Sequence, residues 1–168
     1  MELWDAYDLM RRRTGGTLVR DEAIPEGLCH LVVHIWYRNR KGELLVQRRA
    51  LSRQLMPGVW ACTGGSVTKG EDSIQGLIRE STEEMGIVPD VEKTAFVLSF
   101  MWEDGLTDVY LVPFDGEVSD LHLQEEEVMD AKWITPEELR SYIGREDKFW
   151  QYPYLDMLLG YLKDHPVQ

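Results

Sequence analysis

Hydrophobic and polar positions change period along the chain, and the changes mark its elements. Residues 31–38, LVVHIWYR, are dense in β-branched and aromatic side chains and predict a buried strand. A turn at 39–42 and the run ELLVQRR at 43–49 predict its partner. SRQLMPGVW reads as a loop closed by Pro57-Gly58, and 60–63 as a short strand entering a glycine loop at Gly64-Gly65. The period then becomes helical. At about 100° per residue, Ile74, Leu77, Ile78, Ser81 and Met85 share one side, and Glu80, Glu83 and Glu84 project from the other within an arc of roughly 100°. Asp72 is the expected N-cap, Gln75 closes a capping box and Gly86 ends the helix at C′.

The ends of the chain are read the same way. Residues 3–10 and 15–21 predict an N-terminal β-hairpin turning at Gly15-Gly16. Strands at 91–103 and 107–115 flank a turn at Asp104-Gly105, and 120–130 is acidic and irregular. A short strand at 132–134 precedes a helix capped by Thr135 with Pro136 in its first turn, and a last helix begins near Tyr154, after Pro153. Strands with helices at these points predict an α/β fold.

The helix carries the chemistry. Like charges at i, i+3 and i, i+4 each destabilise a helix by roughly 0.2–0.5 kcal/mol. Three carboxylates on one arc are easier to understand around a cation, and hard oxygen ligands suit Mg2+ or Mn2+. Read alone, such an arc also fits a solvated acidic face. The glycines before it weigh toward a site, because they let backbone approach closely.

Gly65, Glu71, Arg79, Glu80, Glu83, Glu84, Gly86 and Ile87 stand at the fixed spacing of the Nudix box, so the chain resembles the Nudix hydrolases. Ser81 departs, standing where that family usually has an aliphatic residue; its hydroxyl is expected to bond the carbonyl one turn back. The flanks GELLVQRR, PGVWACTGG and EEEVMDAKWITPEEL are similar too, and WDAYD…TGG…HLVVHIW resembles the branch around isopentenyl diphosphate isomerase. The resemblance implies a mixed β-sheet in an α/β/α sandwich. It implies one domain over 1–168, with the N-terminal hairpin at about 1–27, the box at 65–87 and C-terminal helices at about 136–165.

It also implies hydrolysis of a diphosphate linkage in a nucleoside diphosphate joined to another moiety, by water activated on Mg2+ or Mn2+. Glu83 and Glu84 are then the principal metal ligands, and Glu80 a ligand or the general base. Gly64 offers its carbonyl. Arg79 holds a box glutamate, and Glu71 pairs with it or binds a second ion. An acid outside the box often assists. Among Glu125, Glu126 and Glu127, Glu127 is preferred and Glu126 the alternative, against a charged loop kept in water. Arg48 and Arg49 point to opposite faces of a strand, so at most one clamps phosphate. His30, His34, Trp36, Trp60, Trp102 and Trp133 are expected mostly as packing residues, and Cys62 as a buried apolar side chain.

Two other functions compete. The isomerases carry a cysteine and a histidine at positions that are Gly64 and Ser66 here, and tend to have an incomplete acidic box. A non-catalytic Nudix module would be favoured by lost box glutamates; none is lost. The 168 residues carry a formal charge of −12, which disfavours nonspecific nucleic acid and anionic membrane surfaces as partners. Two cysteines without metal-type spacing suit reduced thiols and a cytoplasmic protein. The first residues lack signal-peptide character, and no run is apolar and long enough to span a bilayer. The N-terminal hairpin is a candidate homodimer element. The identity of the substrate lies in loops outside the box.

Overall fold

The computed structural model describes residues 1–103 and 105–167; Asp104, half of one predicted turn, lies outside the described residues. In chain order the elements are β1 (Leu3–Asp8), β2 (Arg13–Val19), β3 (Leu28–Arg38), β4 (Leu44–Arg49), β5 (Trp60–Ala61), β6 (Thr63–Ser66), α1 (Ser73–Met85), β7 (Ala95–Trp102), β8 (Gly105–Pro113), β9 (Val128–Ile134), α2 (Pro136–Tyr142) and α3 (Leu155–Asp164).

β3 organises the sheet. It runs parallel to β8 from His30 to Arg38 and antiparallel to β1, β4 and β6. β7 extends the sheet beyond β8, β5 and β9 both pair with β4, and β2 pairs with β1. The sheet is therefore mixed, as expected. Side chains alternate across β3. Leu31, Val33, Ile35 and Tyr37 pack with Leu77 and Met85 of α1. On the other face Trp36 packs with Leu139 of α2 and with Leu155, Leu158 and Leu162 of α3. Burying each such aliphatic side chain contributes about 1.5–3 kcal/mol, and these two faces make the helix–sheet–helix sandwich.

Local chemistry sets the helix ends. The Asp72 carboxylate accepts from the Gln75 N–H at 2.8 Å, and the Gln75 side chain accepts from the Asp72 N–H at 2.8 Å. Gly86 closes α1 in the left-handed region with φ 70°. Thr135 caps α2 ahead of Pro136, and α3 starts after Tyr154. These boundaries follow the sequence reading.

Other expectations are corrected. Gly15-Gly16 is not the hairpin turn but lies inside β2, where 14–16 bulge opposite Ala6. The chain turns earlier because the Asp8 carboxylate accepts from the Met10 and Arg12 N–H groups, both at 2.9 Å, with Arg11 at φ 64°. Gly64-Gly65 is strand, not loop, since β6 pairs with β3. β7 begins at Ala95, and β9 is longer than the predicted 132–134 because β4 gives it a partner as far as Arg49–Val128. Within 120–130, Gln124 N donates to Glu84 O and Val128 N to Gln124 O, so this stretch is tied to α1 and turned into β9.

Candidate active site

The helix face of α1 is not divided as its periodicity predicts. Ile78 is exposed, while Glu80 and Glu84, assigned to the outer side, are buried at 9% and 6% exposure. Glu80 turns inward because β6 offers no side chain where it passes, and Glu84 turns inward onto Gln47. A Cβ on Gly65 would stand 2.4 Å from Glu80 Oε1, and one on Gly64 would stand 2.2 Å from the Val33 carbonyl. The two glycines thus bring strand, helix and carboxylates into contact.

Glu80 accepts from Arg79 Nη1 at 2.8 Å, and Glu84 accepts from Gln47 Nε2 at 2.8 Å. Burial raises the pKa of both carboxyls. For Glu84 it reaches about 8, with the charges of Glu80 and Glu127 adding to the rise. Glu83 is the outward member of the set, its side chain 54% exposed and 3.3 Å from Arg79. Arg79 also donates to Glu71 at 3.0 Å and to the Ser66 carbonyl at 2.9 Å. Burial works against its charge, but Glu71 and Glu80 more than offset this and raise its pKa. Burial likewise pushes Glu71 up, and hydrogen bonds from Arg79 and Thr68 bring it below the usual carboxylate range.

Among the described residues no three His, Cys, Asp or Glu side chains converge as a finished metal cluster. The donors nevertheless fit a hard cation. Two buried carboxyls lie near enough for the charge on Glu80 to raise the pKa of Glu84, and a divalent ion would favour the ionised form of both.

Beside this group lies a cavity of about 950 Å³. Gly64, Gly65 and Ser66 form one wall, Arg49, Arg53 and Glu127 another, and Trp102, Trp150 and Tyr152 a third. Arg49 is buried, donates to the Leu55 carbonyl at 3.0 Å and covers the Trp150 ring at 4.8 Å. Arg48 does not line the cavity and donates to the Gly58 carbonyl. Glu126 and Glu127 line it and Glu125 does not; Glu127 is ion-paired with Arg53. His34 hydrogen-bonds the Tyr154 hydroxyl at 2.9 Å, and burial depresses its pKa to about 3. Burial pushes the Cys62 thiol up to about 12, which makes it a poor nucleophile.

The structure adds residues that the sequence did not single out. Gln47, which holds Glu84, sits two positions before Arg49 on β4; the period of two was the available signal. Trp4 and Arg20 of the N-terminal hairpin line the cavity, with Trp4 stacked on His30 at 4.0 Å between ring centroids. Glu2 accepts from Trp4 Nε1 at 2.7 Å and Arg20 at 2.8 Å. The hairpin also holds the loop before α1, since Lys69 N donates to Leu3 O at 2.8 Å and Gly70 N to Asp5 at 2.9 Å.

A family model described as NUDIX domain matches residues 29–156. A Nudix hydrolase of Listeria monocytogenes is 39% identical over 161 residues, covering 95% of each chain. An isopentenyl-diphosphate Delta-isomerase of Escherichia coli is 33% identical over 125 residues, 70% of this chain and 69% of its own. Among solved structures, a protein of Deinococcus radiodurans superposes with a TM-score of 0.78 at 23% identity, covering 95% of this chain and 98% of its own.

Proposed function

The chain belongs to the NUDIX domain family, and from that membership we propose that it cleaves a nucleoside diphosphate joined to a second moiety, using Mg2+ or Mn2+ held by the glutamates of α1. Nudix hydrolases generally hydrolyse pyrophosphate bonds in nucleoside diphosphate derivatives, and this chain is an enzyme of that family. One observation carries the finer reading. The buried carboxylates Glu80 and Glu84 stand at a glycine strand that also walls a cavity into which Arg49 and Arg53 are built. Groups suited to a cation and groups suited to a phosphate lie side by side, as a cation-bridged diphosphate requires.

Glu83 and Glu84 are the principal ligands in this reading, with Glu80, Glu71 and the Gly64 carbonyl as further donors. The ion, when bound, neutralises charge on the diphosphate and acidifies water. The chain supplies the rest. Gln47 fixes the Glu84 carboxylate, and Arg79 orients Glu80 and Glu71. Glu127, or Glu80 past Gly65, takes the proton from the attacking water at a carboxylate oxygen. Arg49 holds the diphosphate; Arg48, turned to Gly58, takes no part. Two buried free thiols and a charge of −12 suit a cytoplasmic enzyme acting on small molecules.

The test is a panel of nucleoside triphosphates, sugar nucleotides, dinucleoside polyphosphates and isopentenyl diphosphate, assayed with Mg2+ or Mn2+ for phosphate or nucleotide release. Activity should nearly vanish in Glu83→Gln and Glu84→Gln. Undiminished turnover in both variants would defeat the ligand assignment. Double-bond migration in isopentenyl diphosphate, without hydrolysis of any other compound, would make the chain an isomerase.

A further inference from the structure

Arg53 lies between β4 and β5, in a segment whose pattern suggests only a connector. Its Nη1 is ion-paired with Glu127, and the two side chains are 26% and 25% exposed where they line the cavity. Its Nε is buried without a hydrogen-bond partner among the described residues. The Glu127 pairing thus uses one edge of the guanidinium and leaves Nε unsatisfied, although a buried donor is normally paired. Arg49 lines the same cavity, and it has no ion pair among the described residues. Burial disfavours its charge, and the neighbouring Arg53 charge adds to this. Two guanidinium groups facing one cavity are relieved by an anion that both can reach.

The segment is fastened around Arg53. Ala50 N donates to the Glu127 carbonyl at 2.8 Å, Ser52 Oγ to the Glu126 carbonyl at 3.2 Å, and Gly58 N to the Arg49 carbonyl at 3.1 Å. Arg53 and Glu127 are therefore held together by backbone bonds as well as by their ion pair. The backbone bonds do not depend on what the guanidinium touches.

We propose that Arg53 recognises the substrate's diphosphate by exchanging partners: it holds the Glu127 carboxylate in the free enzyme and turns to the phosphates when they bind, leaving Glu127 able to accept a proton from water. The naming of the anion rests on the hydrolase reading above; the exchange itself needs no turnover. One charge-assisted contact is broken and a stronger one formed, because a diphosphate carries more charge than a carboxylate and can engage Nε together with Nη. Glu127 is then both the internal competitor for Arg53 and the group that binding releases.

The competition gives opposite signs for the two partners. Inorganic pyrophosphate is titrated calorimetrically into the wild type, Arg53→Ala, Arg53→Lys, Glu127→Gln and the Arg53→Ala/Glu127→Gln double variant. Each titration is run with Mg2+ and with EDTA, after thermal melts confirm folding. Arg53→Ala should weaken binding about tenfold or more, with Arg53→Lys between it and the wild type. Glu127→Gln should bind more tightly than the wild type, and the double variant should behave as Arg53→Ala. Equal affinity in all five proteins, no binding to the wild type, or weakening by Glu127→Gln each overturns the proposal. If the opposite shifts appear but the substrate panel yields no hydrolysis, the exchange stands and the hydrolase reading falls. If hydrolysis is found without the shifts, the exchange alone falls.

Discussion

Single residues explain why the box tolerates its one departure. Ser81 is fully buried, and the expected bond back along the helix is absent. Its hydroxyl instead donates forward to the Ile87 carbonyl at 2.6 Å and accepts from the Tyr37 hydroxyl at 3.0 Å. An aliphatic side chain here would leave the buried Tyr37 hydroxyl without this partner, so Ser81 and Tyr37 form one polar unit inside the apolar layer. Ser81→Ala should therefore destabilise the fold by about 1–3 kcal/mol, the range for losing two buried hydrogen bonds. Tyr37→Phe combined with Ser81→Ala should lose less than the sum of the two single losses. Urea denaturation of the three variants measures this, and strict additivity would contradict it. The sequence marked Ser81 as a packing position, but not its partner, because the two lie 44 residues apart and meet only through the stacking of α1 on β3.

Elements show the same split between local and non-local information. The caps of α1 and α2 were legible because an N-cap, a capping box and a C′ glycine act within one turn of chain. The strands β3 and β4 were legible from apolar density. The two strands of the N-terminal hairpin were legible within a few residues; its docking was not, because that is decided by contacts far along the chain. Arg11, at the hairpin turn, reaches Asp108 of β8 with two bonds of 2.6 and 2.5 Å, and also Ser99 of β7 at 2.6 Å. Asp108 is wholly buried and accepts from Ser73, the first residue of α1, at 2.5 Å. One carboxylate thus ties hairpin, sheet and box helix together. Removing its cation leaves a buried charge held, among the described residues, by the Ser73 hydroxyl, so Arg11→Ala should cost about 2–3 kcal/mol. Asp108→Asn in the Arg11→Ala background should restore part of that loss. Denaturation midpoints test the pair, and a neutral Arg11→Ala would show the latch to be idle.

At the scale of the whole molecule, acid dominates, with a net charge of −12, and the cavity wall sets Arg20, Arg49 and Arg53 among Asp21, Glu22, Glu103, Glu126 and Glu127. The sequence exposed the first fact and half of the second. Arg49 could be nominated from its strand, whereas Arg20 and Arg53 enter only when a hairpin and a connector fold over the same sheet end. The burial of Glu80 and Glu84 was likewise hidden, because helical periodicity ranks side chains by polarity and cannot register the room Gly65 leaves for Glu80 or the Gln47 amide that holds Glu84. That burial sets up a final measurement. Any divalent cation will be drawn to so acidic a chain, so a rise in melting temperature with Mg2+ is by itself no sign of a site. An ion bound only by the folded chain at 100 times its dissociation constant adds about 2.7 kcal/mol, or roughly 5–10 °C for a chain of this size. Sodium chloride at matched ionic strength should give a smaller shift. In Glu84→Gln the Mg2+ increment should shrink to that of the salt control. The ion-free variant should melt no lower than the ion-free wild type, because burial and the Glu80 charge already favour the neutral Glu84 carboxyl without an ion, and the new amide is a neutral group of the same shape that still accepts from Gln47. A variant that melts far lower without ions would mean that Glu84 serves the fold. A variant that keeps the full Mg2+ increment would mean that the ion binds elsewhere on the acidic surface.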